Sequence, residues 1–148
     1  MVDDLTGEPI AALLEEHLTE MRATSPPEST HALDLDGLRA PGITFWSVWD
    51  GDSLVGCGAL KRLDDQHAEL KSMRTTRTRQ GSGIGSALLA HLIDQARSMG
   101  FTRLSLETGA MPFFEPARRL YARFGFTDCE PFGDYRCDPN SVFMTRTL

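Results

Sequence analysis

The chain has 148 residues, of which 41% are hydrophobic and 24% charged, and it carries a formal net charge of −6. This length and composition are typical of one globular domain, which we expect to cover residues 1–148. The acidic balance, without a basic tail or face, argues against nucleic acid as a partner. No apolar run reaches the ~20 residues of a membrane span and no secretory signal is visible, so we expect no membrane partner.

The cysteines give no indication of a metal site. Cys57, Cys129 and Cys137 are odd in number and lack the C-x-x-C spacing of zinc ligands. The four histidines also lack ligand spacing. We therefore expect reduced thiols, no metal and a cytoplasmic location.

The first predicted element is an amphipathic helix. Apolar residues recur at steps of three and four between Glu8 and Arg22. Two consecutive prolines in the segment 24–30 end this helix, because proline cannot continue a helical hydrogen-bond ladder. A second short helix is expected at 33–38.

Three strands follow. Ile43–Trp49 is rich in β-branched and aromatic residues, Asp-Gly-Asp at 50–52 is a hairpin signal, and Ser53–Lys61 returns as a strand. After another turn, Ala68–Thr75 again has the composition of a strand. The pattern predicts an antiparallel meander.

The second half begins with a helix and a strand. An apolar stripe runs along Gly83–Met99, Gly100 can cap its end, and Thr102–Glu107 alternates as a strand. A strand, a helix and a further strand predict a right-handed unit in which the two strands are parallel.

The remaining elements complete an α/β fold. Phe113–Phe124 is predicted as a helix ended by Gly125, and two strands are expected near 126–130 and 142–147. Together the elements predict a mixed sheet with helices on both faces.

A glycine-rich segment precedes the second long helix. Gly81, Gly83 and Gly85 alternate between Gln80 and Ser86. Backbone amides that converge at a helix N-terminus form a site for a phosphate-type anion. A nucleotide-binding P-loop would need Lys and Ser or Thr after its last glycine, and a dinucleotide fingerprint would need glycine at Ser86. Neither pattern is present.

A third pattern fits this segment. Gln80, Gly83 and Gly85 form Q-x-x-G-x-G, which resembles the acetyl-CoA pyrophosphate loop of the GNAT family of N-acetyltransferases. Ala68–Thr75 resembles the fourth strand of that family, and Ala117–Phe126 resembles its A-x-x-L-Y-x-x-x-G-F helix end. The order and spacing of the three pieces agree, and the resemblance covers the chain from about Ile43 onward.

The resemblance implies a fold and a cofactor site. The expected fold is a mixed, mostly antiparallel sheet with splayed central parallel strands, between which the pantetheine arm of acetyl-CoA lies. Main-chain groups are expected to bind the cofactor. Those for the pyrophosphate are Gln80, Gly81, Gly83, Ile84, Gly85 and Ser86, and those for the pantetheine arm are Met73, Arg74 and Thr75.

Acetyl transfer needs a neutral amine and a proton for the departing thiolate. Glu69 lies eleven residues before Gln80, where histone-modifying members of the family carry the general base. A carboxylate that merely ends a strand is the alternative. Tyr121 is the tyrosine of A-x-x-L-Y and the candidate acid, with a core tyrosine as the alternative. No histidine lies beside the cysteines in sequence, which favours direct transfer over an acyl-enzyme.

The acceptor is expected to be a small-molecule amine. Glu28 and His31, in and after the proline segment, are the substrate-contact candidates, with an ordinary polar loop as the alternative. Two other functions stay open: a non-catalytic acetyl-CoA-binding or sensing module, and a protein or peptide acetyltransferase. The family resemblance is compatible with a homodimer.

Overall fold

The computed structural model describes residues 7–24, 41–75, 83–133 and 135–148. The short helix expected at 33–38 lies outside the described residues. So do four predicted site residues, which are Glu28, His31, Gln80 and Gly81.

Three helices and six strands make up the described chain. The helices are α1 (Glu8–Thr24), α2 (Ile84–Ser98) and α3 (Glu115–Arg123), and a 3-10 turn (Pro112–Phe114) leads into α3. The strands are β1 (Ile43–Asp50), β2 (Ser53–Arg62), β3 (His67–Thr75), β4 (Arg103–Gly109), β5 (Thr127–Asp128) and β6 (Ser141–Thr147).

The predicted elements are present, with two differences. The helix predicted from Phe113 begins as a 3-10 turn, in which the Phe114 amide donates to the Met111 carbonyl. The strand expected near 126–130 is reduced to Thr127–Asp128. Gly125 ends α3 as predicted, with a φ of 89° that glycine adopts without steric cost.

The strands form one sheet in the order β1-β2-β3-β4-β6-β5. All neighbouring pairs are antiparallel except β3 and β4, which are parallel. These two pair only from His67 to Leu70 on β3, although β3 runs on to Thr75 and β4 to Gly109. The two strands therefore separate after Leu70 and Leu106. The predicted mixed sheet with splayed central strands is confirmed.

Helices cover both faces of the sheet, as predicted. On one face, here called the α1 face, Ile10 and Leu14 of α1 pack with Phe45 and Cys57. The opposite face, here called the α2 face, carries the larger core, whose members include α2, α3 and sheet residues. Fully or nearly fully buried members of that core are Leu60, Leu88, Leu89, Leu92, Leu104 and Leu106.

A bulge interrupts β3 just after the two strands separate. Ser72 has a φ of 53°, and the β2–β3 register shifts between Cys57 and Ala59. The Cys57 thiol donates to the Ser72 carbonyl at 3.3 Å. Because of the bulge, Lys71 and Arg74 both face α1, Lys71 opposite Ala59 and Arg74 opposite Cys57.

Candidate active site

The N-terminus of α2 presents backbone donors. Gly83 has a φ of 86°, and a Cβ built on it would meet nothing within 4 Å. The first helical hydrogen bond runs from the Ala87 amide to the Gly83 carbonyl, at 3.1 Å. The amides of the three residues between them therefore have no acceptor within the helix, and no side chain of the described residues caps it. An anion can approach these amides closely at the positive end of the helix dipole.

The three sequence motifs meet at this helix end. A Cβ on Gly85 would lie 3.5 Å from Cδ2 of Leu120 and 3.7 Å from Oγ1 of Thr75. The start of α2 therefore adjoins both the end of β3 and the helix that carries Tyr121. The described end of the glycine segment, the predicted pantetheine strand and the A-x-x-L-Y helix therefore lie next to one another.

The last part of β3 is separated from β4. No described strand pairs with β3 on that side beyond Leu70. The predicted pantetheine residues Met73, Arg74 and Thr75 lie in this part. The side chain of Arg74 contacts α1 instead, since Nη2 donates to Oε1 of Glu16 at 2.7 Å. Only the main chain of Arg74 is therefore placed for a ligand at this edge.

Tyr121 belongs to the core of the α2 face. Its side chain is 8% exposed, and its ring centroid lies 5.9 Å from that of Phe126. Burial, together with the charge of Glu107, raises the pKa of Tyr121 to about 12. Among the described residues its hydroxyl has no hydrogen-bond partner. Tyr121 is thus a core tyrosine, and it is also a protonated phenol whose O–H group can donate.

Glu69 lies on the α1 face, inside β3 and not at its end. Its side chain is 3% exposed. Its Oε2 accepts hydrogen bonds from Nζ of Lys71 at 3.2 Å and from the Tyr135 hydroxyl at 2.5 Å. Lys71 also donates to the Tyr135 oxygen at 2.9 Å. The predicted base is therefore one corner of a closed, buried triangle of polar groups.

Tyr135 lies in the loop before β6. The family resemblance made this polar loop a further candidate for contact with the acceptor, but the sequence did not single out Tyr135 or its contact with Glu69. Its ring packs against Phe132 and Phe143, with centroids 5.2 Å and 5.4 Å away. Burial, with the charge and hydrogen bond of Glu69, holds the pKa of Tyr135 well above its usual range. The hydroxyl therefore stays a donor to Glu69.

Glu107 is the second site residue that the sequence analysis missed. It points to the α1 face, because it lies two residues after Ser105, which pairs with Glu69. Burial raises the pKa of Glu107 to about 7, and Lys71 lowers it while Glu69 raises it further. The alternation from Leu104 to Glu107 was a usable signal, since it puts Glu107 on the same face of β4 as Ser105, the residue that pairs with Glu69.

A serine and a histidine also lie on this face, but they do not form a nucleophile. Nε2 of His67 lies 2.6 Å from Oγ of Ser105, which lies 2.8 Å from Oγ1 of Thr145. Ser105 is 1% exposed, and Asp64 accepts from the backbone of His67 and not from its ring. Burial lowers the pKa of His67. The group is a partly buried polar network that links β3, β4 and β6.

Neither a metal cluster nor a spanning helix is found in the described ranges. No three His, Cys, Asp or Glu side chains there converge as metal ligands. The helices of those ranges are too short or too polar to cross a bilayer.

Comparison with known proteins identifies the family. The model of the Acetyltransferase (GNAT) family matches residues 10–126. The chain belongs to this family. The predicted resemblance is confirmed, and at the level of the family so is the prediction of an N-acetyltransferase.

Individual members of the GNAT family match nearly the whole chain. An uncharacterized N-acetyltransferase, YsnE of Bacillus subtilis, is 58% identical over 99% of this chain and 97% of its own length. The crystal structure of a putative acyl-CoA N-acyltransferase from Klebsiella pneumoniae is 27% identical, with a TM-score of 0.79 over 100% of this chain and 95% of that one. A GNAT family acetyltransferase from Elizabethkingia anophelis, with acetyl-CoA bound, has a TM-score of 0.62 at 21% identity and covers 72% of this chain and 77% of its own.

Proposed function

We propose that the protein transfers the acetyl group of acetyl-CoA directly to the amine of a small molecule. The observation that carries this proposal is that the N-terminus of α2 adjoins the part of β3 that no described strand pairs with on the β4 side. The first suits a pyrophosphate, and the second offers main-chain hydrogen bonds to an extended amide chain. Acetyl-CoA contains both groups in one molecule.

The residues present fit this ligand. The open space at Gly83 and the amides of Ile84, Gly85 and Ser86 would hold the pyrophosphate. Gln80 and Gly81 stay predictions for the same loop. The acetyl-CoA bound to the Elizabethkingia protein supports this choice of ligand.

The chemistry needs a proton acceptor and a proton donor near the splay. Glu69 and Glu107 face the α1 side, from which we expect the acceptor amine to approach. The sequence assigns proton acceptance to Glu69, directly or through a water, and Glu107 shares its face. Tyr121 lies in the core of the opposite face and would donate to the departing sulfur.

Direct transfer is supported by the state of Cys57, which lies opposite Arg74 in the β2–β3 register. Cys57 is 0% exposed, and its thiol donates to the Ser72 carbonyl. A buried thiol engaged in this way is not placed to carry an acetyl group. The amine itself therefore attacks the thioester carbonyl.

Recessed carboxylates favour a small acceptor over a protein surface. Glu69 is almost fully buried beneath the loop that carries Tyr135, so that a small amine could approach it more easily than a protein surface could. Glu28 and His31 stay candidates for further contacts with this acceptor. A module that only senses acetyl-CoA would have no need of buried protonatable groups beside its binding edge.

Isothermal titration with acetyl-CoA tests the proposal. The variants are Gly83→Glu and, as a matched control, Gly100→Glu at the other end of α2. Both glycines have a φ near +90° and open space where a side chain would begin, so the two changes bring similar strain and the same charge. We expect the parent and Gly100→Glu to bind, and Gly83→Glu to lose at least about 10²-fold in affinity through charge repulsion at the pyrophosphate.

Binding that is lost only in Gly83→Glu would support the site and justify a screen of amines for CoA release. A folded parent that does not bind acetyl-CoA would overturn the proposal. Equal binding by both variants would instead place the cofactor somewhere other than the start of α2.

A further inference from the structure

The two carboxylates of the α1 face differ in their contacts. Glu69 has one oxygen that accepts from both an ammonium and a phenol. For Glu107, the structure shows one hydrogen bond, a long one of 3.5 Å from the Ser141 hydroxyl. Among the described side chains no salt bridge reaches Glu107. Of the two groups, Glu107 has oxygens that an incoming cation can still approach.

Their positions along the parallel ladder also differ. Glu69 pairs with Ser105, inside the part where β3 and β4 are hydrogen-bonded. Glu107 is the first residue of β4 beyond the last pair, Leu70 with Leu106. Its side chain therefore starts at the point where the two strands separate. Its charge also helps to raise the pKa of Tyr121, which belongs to the core of the opposite face.

We propose that Glu107 is the group that takes the ammonium proton of the acceptor, and that Glu69, fixed by Lys71 and Tyr135, is a positioning residue for it. This inference rests on the proposed acetyl transfer and names the base and the charge of the acceptor within it. The acceptor is a primary amine that arrives as its cation.

The proton balance of the step is complete. The ammonium gives one proton to the Glu107 carboxylate and becomes a neutral amine. Its nitrogen forms a bond to the thioester carbon, the carbon–sulfur bond breaks, and the sulfur takes the Tyr121 proton. The second nitrogen proton restores Tyr121 through water, and Glu107 then releases its own proton to solvent. One proton is released for each acetyl group transferred.

The surrounding charges suit a cationic acceptor. Lys71 is offset by Glu69, so the negative charge of Glu107 is left over in the cluster. A carboxyl whose pKa is about 7 is partly ionised at neutral pH and can both accept and release a proton there. The charged and titratable groups that act on Glu107 or feel its charge are Lys71, Glu69, Tyr121, Tyr135 and Asp138.

The test compares amines that differ in charge. Benzylamine is mostly a cation at pH 7, and methoxyamine is mostly neutral. We expect Glu107→Gln to lower kcat/KM for benzylamine by about 10²-fold and to change that for methoxyamine by less than about threefold, because a neutral amine needs no base for the first proton. CoA release is the readout.

The matched variants separate the two carboxylates. Glu69→Gln should lower kcat/KM for both amines to a similar degree, because a positioning defect does not depend on the charge of the acceptor. Glu130→Gln, a change near the same end of the sheet, should leave both amines unaffected. Circular dichroism and acetyl-CoA titration confirm that each variant is folded and binds the cofactor.

The pH profile gives a signature that a structural role would not produce. In the parent, the plot of kcat/KM for benzylamine against pH should change slope near pH 7. In Glu107→Gln that change of slope should be absent, and kcat/KM should instead rise with the neutral fraction of the amine. Carbon-13 carboxyl NMR of labelled glutamate gives a reading without turnover. The signal that Glu107→Gln removes should titrate near pH 7.

The outcomes are distinct from those of the proposed function. An equal loss of kcat/KM for benzylamine and methoxyamine in Glu107→Gln would overturn the role of Glu107 even if acetyl-CoA binds. So would a Glu107 NMR signal that titrates below about pH 5. A parent that fails to bind acetyl-CoA would overturn the proposed function itself. Selective loss for the cationic amine, with the change of slope absent, would support Glu107 as the base.

Discussion

At the scale of single residues, Tyr121 combines two properties. Its ring fills part of the core beside Phe126, and its hydroxyl has no partner among the described residues. Removal of the hydroxyl should therefore leave the packing intact. This separation makes the catalytic role testable without a stability artefact.

Tyr121→Phe should bind acetyl-CoA as the parent does, melt within about 2 °C of it, and lose about 10²-fold in kcat. The physical reason is the loss of the proton donor for the departing sulfur. Calorimetry, thermal melts and CoA release measure the three quantities. Full turnover by the variant would exclude Tyr121 as the acid and leave it a core residue.

At the level of single residues, the family resemblance and local patterns supply candidates. Glu69 was named by the resemblance from its distance to Gln80, and Glu107 could have been named from strand alternation. Tyr135 could not, because its hydrogen bond to Glu69 joins residues 66 positions apart through a loop with no periodicity. The roles of Glu69 and Tyr121 stay predictions.

At the scale of elements, an ion pair connects α1 to β3. Nη2 of Arg74 lies 2.7 Å from Oε1 of Glu16, with Arg74 8% and Glu16 34% exposed at the side chain. The contact lies next to the bulge at Ser72, where β3 is expected to meet the cofactor. Since it uses the side chain and cofactor binding uses the main chain, the two roles of Arg74 can be separated.

Arg74→Met should lower the free energy of unfolding by about 1 to 3 kcal/mol, because it removes a charged hydrogen bond that is largely buried. The affinity for acetyl-CoA should stay within about threefold of the parent. Urea denaturation and calorimetry give the two values. As a control, Arg97→Met breaks an exposed pair with Asp94 and should cost well under ~1 kcal/mol.

A large loss of acetyl-CoA affinity in a folded Arg74→Met protein would contradict the main-chain role. The side chain would then have to act on the cofactor, directly or by holding the bulge in place.

The elements were predictable from sequence where periodicity was strong. α2 and the strands of the meander appear within one or two residues of their predicted bounds. The boundary at Pro112–Phe114 was not predicted, because local hydrogen bonding decides between a 3-10 turn and an α-helical start. β5 is shorter than predicted, and nothing in the local sequence pattern indicates where it ends.

At the scale of the whole molecule, Glu107 makes stability depend on pH. Its folded pKa is about 7 and its ordinary value is 4.5, so the folded state binds more protons than the unfolded state between these values. The free energy of unfolding therefore falls as pH rises from about 4.5 to 7. The difference of about 2.5 pH units corresponds to ~3 kcal/mol.

Glu107→Gln should remove this contribution. Compared with the parent, the variant should have similar stability at pH 4.5 and should be more stable by a few kcal/mol at pH 8. Urea denaturation at both pH values measures the difference, and Glu130→Gln serves as the control. A variant that is equally or less stable than the parent at pH 8 would show that folding does not destabilise the ionised form of Glu107.

The architecture as a whole was predictable because three motifs resembled one family in order and spacing. Composition alone could not place the parallel pair among antiparallel neighbours. The separation of β3 and β4 after four paired positions depends on the register of the sheet, which is a property of distant contacts. The extent of the domain stays a prediction, as do the acceptor and the partner state.

The influence of the Glu107 charge on the pKa of Tyr121 has a consequence for the order of the two proton transfers. Burial is the main reason that the phenol holds its proton firmly, and the negative charge of Glu107 is the second. When an acceptor neutralises Glu107, that second influence disappears, and Tyr121 becomes a stronger acid just before the sulfur departs. Proton transfer from the amine would in this way prepare the phenol to protonate the departing sulfur, so that the carboxyl and the phenol act in sequence.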